Sequence, residues 1–449
     1  MKNIEDWSFR YALLRPFIRG IFRLSYRHIE IEGLENIPKN KPIILAPNHQ
    51  NALTDALTIV YSYPPQPVFL ARADIFKKKI IIAILTFLKI MPVFRIRDGF
   101  DSLAKNDKTF DACTRILKNN KTLSLFPEAA HNGKKSMLPH KKAIPRIAFL
   151  AGEQTNFSLD LYIVPVGINY SHYYKFRSNL VIRYGKPIAV KEYFDIYRND
   201  SEIAATNALR DRIYLELEKV CVNVPDKGLY EAYVQFFELF ERDVCNKLMK
   251  KPSTLNLFKT EQYLIDKLSP ILNPNSSEKV DIAGNLLQYG KLKKKLKISE
   301  TSVQKGEIRT GEIISTFLLF LVTLPVTIPG FIFYGWLYFV TNYSFRGYIK
   351  DSQFYSSFSY GLTLVLLPVW MIVLFVVGCF IFGKWIISAV SVILSIGCAI
   401  IAWEMSRLIL AGKNRLRYTR LLKLNNDSLS SLLEKRELIT SNINTGIFV

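Results

Sequence analysis

The chain has 449 residues, 49% of them hydrophobic, and a formal net charge of +22 from 60 Lys and Arg against 38 Asp and Glu. That length predicts two to four domains. The charge suits an anionic partner, and the crowding of long apolar runs into the last third favours a membrane over nucleic acid. The five cysteines (Cys113, Cys221, Cys245, Cys379, Cys398) lie far apart, a pattern of neither a disulfide framework nor a zinc site.

The first stretch has no apolar h-region of a signal peptide. Residues Trp7 to Tyr26 instead set Arg10, Arg15, Arg19 and Arg23 among aromatic and aliphatic residues. This reads as a basic amphipathic helix over residues 1–27, lying either in a membrane interface or across the domain surface. From residue 28 to 199, short β-like runs ("HIEIE", "PIILA", "PVFLA", "MPVFRI", "TLSLF", "LYIVPVGI", "LVIRYG") alternate with helical stretches at Ile75–Lys89, Asp107–Lys118 and Lys142–Glu153. Such alternation predicts an α/β layer fold with a largely buried sheet.

Residues 200–310 read as a helical region without chemistry of its own. Over 311–404 three apolar stretches follow: Ile313–Val340, uncharged for 28 residues but holding Pro325 and Pro329, then Leu362–Phe382 and Trp385–Trp403, uncharged for 21 and 19 residues. A spanning helix needs roughly 20 apolar residues, so the last two predict a transmembrane hairpin turning at Gly383-Lys384. Basic flanks at Lys291–Lys297 and within the 405–449 tail should both be cytoplasmic. Three single crossings cannot satisfy that, so Ile313–Val340 is expected to bend at its prolines and return. A single kinked span is the alternative.

Four stretches could carry chemistry. In "PIILAPNHQNALTDALTI", a strand ends at Pro47, Asn51 offers an N-cap for a helix starting near Ala52, His49 lies in the loop and Asp55 in the first turn. Across that bend a carboxylate can hold one imidazole nitrogen and leave the other as a base. In "KIMPVFRIRDG", a strand over Met91–Arg97 would put Arg95 and Arg97 on one face, a fork for phosphate or carboxylate; a solvated edge is the plainer reading. "TLSLFPEAAHNGKK" runs a strand into Glu128, followed by His131, Lys134 and Lys135. "LYIVPVGINY" is a buried strand with Pro165 near its middle, which suits an edge or an opening in the sheet.

The order of these motifs resembles the glycerolipid acyltransferase superfamily, the glycerol-3-phosphate and 1-acylglycerol-3-phosphate acyltransferases, over about Tyr26 to Val190. Within it the chain is similar to the branch with NH-x5-D spacing, here His49 and Asp55, and "MLPHKKAIPRIAFLA" (137–151) has that branch's look. It departs from the common pattern in Ala129, where a glycine is usual, and in His131, where many members have Arg. The resemblance implies an acyltransferase domain with a twisted mixed sheet flanked by helices. It implies His49 as general base oriented by Asp55, Arg95 or Arg97 on an acceptor phosphate, Glu128 positioning the glycerol or supporting the helix–strand junction, His131 near the acceptor and Pro165 shaping the acyl-donor side. No metal or cofactor is implied; the donor would be acyl-CoA or an acyl carrier protein, and backbone donors would help hold the oxyanion.

The expected protein is therefore a membrane-bound, cytosol-facing O-acyltransferase of phospholipid synthesis. Its expected partners are the lipid bilayer, an acyl thioester and glycerol 3-phosphate or a lyso-lipid, with no nucleic acid. A non-phosphorylated acceptor and a catalytically silent lipid-binding scaffold are the rival readings.

Overall fold

The computed structural model describes residues 3–94, 105–249, 251–270, 272, 281–349 and 351–447. The chain divides into two compact units, one comprising Met1–Pro225 with Ser253–Phe258 and the other Asp226–Pro252 with Lys259–Val449.

The first unit is a mixed sheet with helices against it. Its strands are β1 (Tyr26–Glu32), β2 (Ile43–Pro47), β3 (Val68–Arg72), β4 (Ile90–Val93), β5 (Thr122–Ser124), β6 (Tyr162–Tyr170), β7 (Ser178–Tyr184) and β8 (Ile188–Ala189). They stand in the order β1-β7-β6-β2-β5-β3-β4, with β8 also on β6. Pairing is parallel except where β6 meets β7 and β8. The helices are α1 (Phe9–Ser25), α2 (Leu53–Ser62), α3 (Lys79–Phe87), α4 (Lys105–Lys118), α5 (Ala143–Glu153) and α6 (Glu202–Glu218). Every residue of β2 is buried, as expected of a central parallel strand covered on both faces. One layer of the core joins Ile44, Val68, Leu123 and Ile163 of the sheet to Ile147 and Phe149 of α5 and Leu209 of α6. Because α6 is part of this core, the unit extends to Pro225, beyond the expected boundary at residue 199.

Pro165 lies inside the sheet rather than at its edge. On one side β6 pairs with β2, and on the other with β8 through Tyr162 and Ile163 and with β7 from Val166 onward. Pro165 occupies the gap between those two partners, where the missing N–H costs no ladder bond.

Helix α1 is a covering helix. Tyr11, Ile18, Ile21 and Phe22 are buried. Arg15 donates to the Val60 and Pro64 carbonyls and Arg19 to the Tyr61 carbonyl. The Val60 and Tyr61 carbonyls belong to the C-terminal turn of α2, which leaves them without intrahelical partners, and Pro64 lies just beyond it. Both guanidiniums are thus turned inward, not toward lipid headgroups as the amphipathic pattern suggested.

The second unit is helical: α7 (Tyr230–Met249), α8 (Ile282–Leu296), α9 (Glu300–Lys305), α10 (Thr310–Tyr343), α11 (Tyr355–Phe382), α12 (Trp385–Lys423) and α13 (Asp427–Ile447). Helices α10, α11 and α12 are each long and apolar enough to cross a membrane. Gly383, at φ 63°, turns α11 into α12, and Gly378 packs on Ser388 just inside that turn.

The polar helices before and after this apolar region pack on each other. Lys435 of α13 donates to Asn285 of α8 at 3.2 Å, and Arg436 approaches Glu300 of α9 at 3.5 Å. Glu300 also accepts from Tyr289 and Lys293 of α8. These bonds hold the polar flanks of the apolar region beside each other.

The contacts of α10 trace its course between them. Glu312, near its start, pairs with Arg415 of α12 at 2.9 Å. Gly330 meets α12 far from there, where a Cβ would lie 2.4 Å from the Cys398 carbonyl oxygen. Asn342, near its end, accepts from Ser359 at the start of α11, the end remote from the Gly383 turn. Both ends of α10 therefore lie on one side of the Gly330–Cys398 crossing, with Pro325 and Pro329 beside it. The helical backbone continues through both prolines, and it is bent rather than straight.

Candidate active site

The site forms where β2 gives way to α2. Pro47 ends the ladder, and Asn48 then ties the chain to β6: its Oδ1 accepts the Ile168 N–H at 2.6 Å and its Nδ2 donates to the Ile168 carbonyl at 3.1 Å. Its own N–H donates to the Val166 carbonyl. This buried amide fixes the residue after it, which is His49.

His49 Nδ1 lies 2.8 Å from Asp55 Oδ2, as the spacing predicts. A proton on Nδ1 shared with the carboxylate leaves Nε2 as the basic nitrogen. The ring stacks on Phe126 at a 4.0 Å centroid distance and meets the His131 ring edge-on at 5.2 Å.

Asp55 is fully buried yet well supplied with donors. The Gln50 and Asn51 N–H groups donate to Oδ2 at 2.8 and 2.7 Å, and the Tyr170 hydroxyl donates to Oδ1 at 2.8 Å. It also lies in the first turn of α2, where the helix dipole favours a negative charge. The helix begins at Leu53, and its N-cap is Ala52 at φ 43°, with no side-chain cap. Asn51 is therefore not the N-cap; the Asp55 carboxylate gathers the amides ahead of the helix instead.

Glu128 faces the same loop from β5's far end. It is 1% exposed, and its Oε1 accepts the His49 N–H while Oε2 accepts the Leu138 N–H, both at 2.8 Å. Burial pushes its carboxyl up to about 8, against the pull of the two amides. Glu128 thus holds the His49 loop and the 137–138 segment together; its oxygens are directed at backbone, not at an open cavity. Ala129 follows at φ 55°, a left-handed conformation that glycine adopts without the Cβ clash, which gives a physical reason for the glycine usual at this position.

With these bonds the amides of residues 48 to 51 are all spent on Val166, Glu128 and Asp55. The expected backbone help for an oxyanion does not come from this loop. The site brings together His49, Asp55, Glu128 and His131. Pro165 acts inside the sheet, and Arg95 and Arg97 lie outside the described residues.

Tyr170 is the participant that sequence reasoning missed. It closes β6, four residues beyond the last β2 pair at Pro47–Val166, and so reaches over α2 to Asp55 and to Thr58 Oγ1. Burial pushes its phenol well above the ordinary range, so it stays a donor. Tyr170→Phe removes one donor from Asp55 and so loosens the carboxylate that holds His49. Turnover should fall several-fold while KM for both substrates changes little. An unchanged kcat would mean that Tyr170 serves packing only.

His140 sits on the segment that carries Leu138. It is buried edge-on to Tyr214, and burial pushes it down to about 4 from 6.5. A depressed base favours the folded state above the unfolded pKa and loses that advantage as pH falls from 6.5 toward 4. At ~1.4 kcal/mol per pH unit the loss is about 3 kcal/mol. The melting temperature of His140→Gln should therefore fall less between pH 7 and pH 4.5 than that of wild type.

Comparison with known proteins finds similarity to acyltransferases. Residues 28–169 match the family model described as Acyltransferase. The chain is 32% identical over 122 residues to glycerol-3-phosphate O-acyltransferase 2 of Saccharomyces cerevisiae, covering 27% of this chain and 16% of that protein. It is 22% identical over 214 residues to the 1-acyl-sn-glycerol-3-phosphate acyltransferase of Borreliella burgdorferi, covering 47% of this chain and 80% of that one. Among solved structures, the 1-acyl-sn-glycerophosphate acyltransferase of Thermotoga maritima is similar at 20% identity and a TM-score of 0.34, covering 47% of this chain and 78% of that one. The chain thus spans less than a fifth of the yeast relative's length. Residues 28–169, the stretch that carries the His49–Asp55 pair, thus match the acyltransferase family model, and the chain is similar there to glycerolipid acyltransferases.

Proposed function

We propose that the protein is a membrane-bound O-acyltransferase that moves a fatty acyl group from a thioester, acyl-CoA or an acyl carrier protein, to glycerol 3-phosphate or 1-acylglycerol 3-phosphate. The observation that carries this reading is the 2.8 Å bond from His49 Nδ1 to an Asp55 carboxylate that is buried and bound by Tyr170 and two amides. In this reading His49 Nε2 takes the proton of the acceptor hydroxyl as its oxygen attacks the thioester carbonyl. The carbon–sulfur bond then breaks, and the proton passes to the leaving thiolate. Asp55 keeps the imidazole oriented and stabilises the imidazolium. No metal or cofactor is called on. Base catalysis is worth about 10²–10⁴-fold, so positioning of the two substrates must supply much of the remainder.

The acceptor is assigned by the arginines. In this proposal Arg95 or Arg97 binds the phosphate, and His131, edge-on to His49, lines the acceptor side. With one labelled thioester and a panel of acceptors on purified membranes, wild type should acylate the phosphorylated ones. Replacing the phosphate-binding arginine with alanine should raise KM for the acceptor far more than for the donor. If neither replacement has that effect and acylation of a non-phosphorylated lyso-lipid proceeds, the phosphate assignment is wrong. No transfer to any acceptor would favour a silent scaffold.

A further inference from the structure

The second unit holds an arginine that no carboxylate of its surroundings neutralises. The chain is uncharged from Ile313 to Phe345, and the next residue is Arg346, just past the end of α10. Its Nε donates to the Asn342 carbonyl at 2.7 Å. Its guanidinium carbon lies 4.3 Å from the centre of the Tyr343 ring and 5.3 Å from that of Tyr355, the first residue of α11. Among the described residues, the acids of this region are engaged elsewhere: Glu312 with Arg415, Glu404 with Arg407, and Asp351 with the Gln353 N–H. The two terminal nitrogens of Arg346 bond to no described residue and are not sealed from the surface.

The arginine is held in place. Asn342 accepts from Ser359 of α11 and donates to the Tyr338 carbonyl, so the end of α10 and the start of α11 make one frame around it. A cation that merely trails toward a bilayer surface keeps its rotamers. Here two ring contacts and the Nε bond fix the guanidinium plane. Four of its five N–H donors remain, a planar fork that matches two phosphate oxygens. Beside it, Phe339, stacked on Tyr343, and Phe358, against Phe345, are 62% and 48% exposed.

We propose that Arg346, with Tyr343 and Tyr355, forms a binding site for the phosphate of an anionic glycerophospholipid whose chains lie along Phe339 and Phe358. The ligand is a lipid rather than free phosphate because the exposed surface beside the fork is aromatic. An anionic headgroup neutralises the one fixed cation, whereas phosphatidylcholine brings a cation of its own. This site lies in the second unit and does not depend on the His49 chemistry. A bound lipid would bridge the end of α10 to the start of α11.

The test is native mass spectrometry of the full chain, delipidated in detergent and given equal amounts of phosphatidylglycerol and phosphatidylcholine. Wild type should retain one phosphatidylglycerol per chain, several-fold more often than phosphatidylcholine. Arg346→Gln should abolish that preference. Arg346→Lys keeps the charge but not the fork, so it should lose most of the preference, and it decides the matter if the glutamine variant fails to fold. Lys423→Gln, which removes an exposed cation at the end of α12, should leave the preference intact. Equal retention of the two lipids by wild type, or an unaltered preference in the Arg346 variants, would overturn the proposal. So would an equal loss in Lys423→Gln, which marks diffuse charge attraction, or displacement of the lipid by inorganic phosphate.

Discussion

His49→Ala should lower kcat/KM for acyl transfer by about 10²–10⁴-fold and leave the melting temperature nearly unchanged. The ring is partly exposed and contributes a stack on Phe126, an edge contact with His131 and one bond to Asp55, while the loop around it is held by Asn48, Asp55 and Glu128. Asp55→Asn should behave differently. An amide in place of the carboxylate turns an NH2 toward one or more of the donors that Asp55 now satisfies. A buried donor left unpaired costs about 1–3 kcal/mol, so this variant should lose both activity and melting temperature. Paired measurements of initial rate and thermal unfolding on the two variants separate base from scaffold. His49→Ala activity within a few-fold of wild type would refute the base assignment.

The second large effect is expected at Glu128. Its carboxyl joins two backbone amides, His49 and Leu138, so the change to Gln must leave one of those N–H groups facing an NH2. The loop would then lose its tie on one side. Turnover should fall because His49 is misplaced, with KM for acceptor and donor little changed, and the melting temperature should drop by an amount in keeping with ~1–3 kcal/mol. A carboxylate that instead gripped the glycerol would show a raised acceptor KM at near-normal stability. Steady-state kinetics in both substrates distinguishes the two, and the geometry supports the first.

Much of the first unit was legible because its strands are short apolar runs bounded by Pro, Gly and polar turns, and apolar runs of that length leave few alternatives. The His49–Asp55 pair was legible because the loop-to-helix bend needed to join them is only six residues long. The partners of Glu128, and any part for Tyr170, were not. Glu128 binds main-chain amides 79 residues upstream and 10 downstream, and an amide leaves no mark in a sequence. Tyr170 depends on the register between β2 and β6, which brings together residues 115 apart. The N-cap reading failed for a related reason: Asn51 has the right side chain, but Asp55 already holds its N–H. The direction of Arg15 and Arg19 went unread because carbonyls at the end of α2 compete with lipid headgroups for them.

The bend in α10 bears on how the chain enters a bilayer during synthesis. Were the apolar region seated in a bilayer, α10 would leave on the side it came from and only the α11–α12 hairpin would reach the far side, where the connection is Gly383 and Lys384. The other charges of this region, Arg346, Lys350 and Asp351 between α10 and α11 and the basic C-terminal part of α12, would stay on the side of entry. Carrying one lysine across is the whole polar cost of insertion, and a lysine at a helix end can extend its ammonium into the opposite headgroups as it arrives. The segment can therefore insert as a closed hairpin in one step, without threading a hydrophilic domain through the membrane.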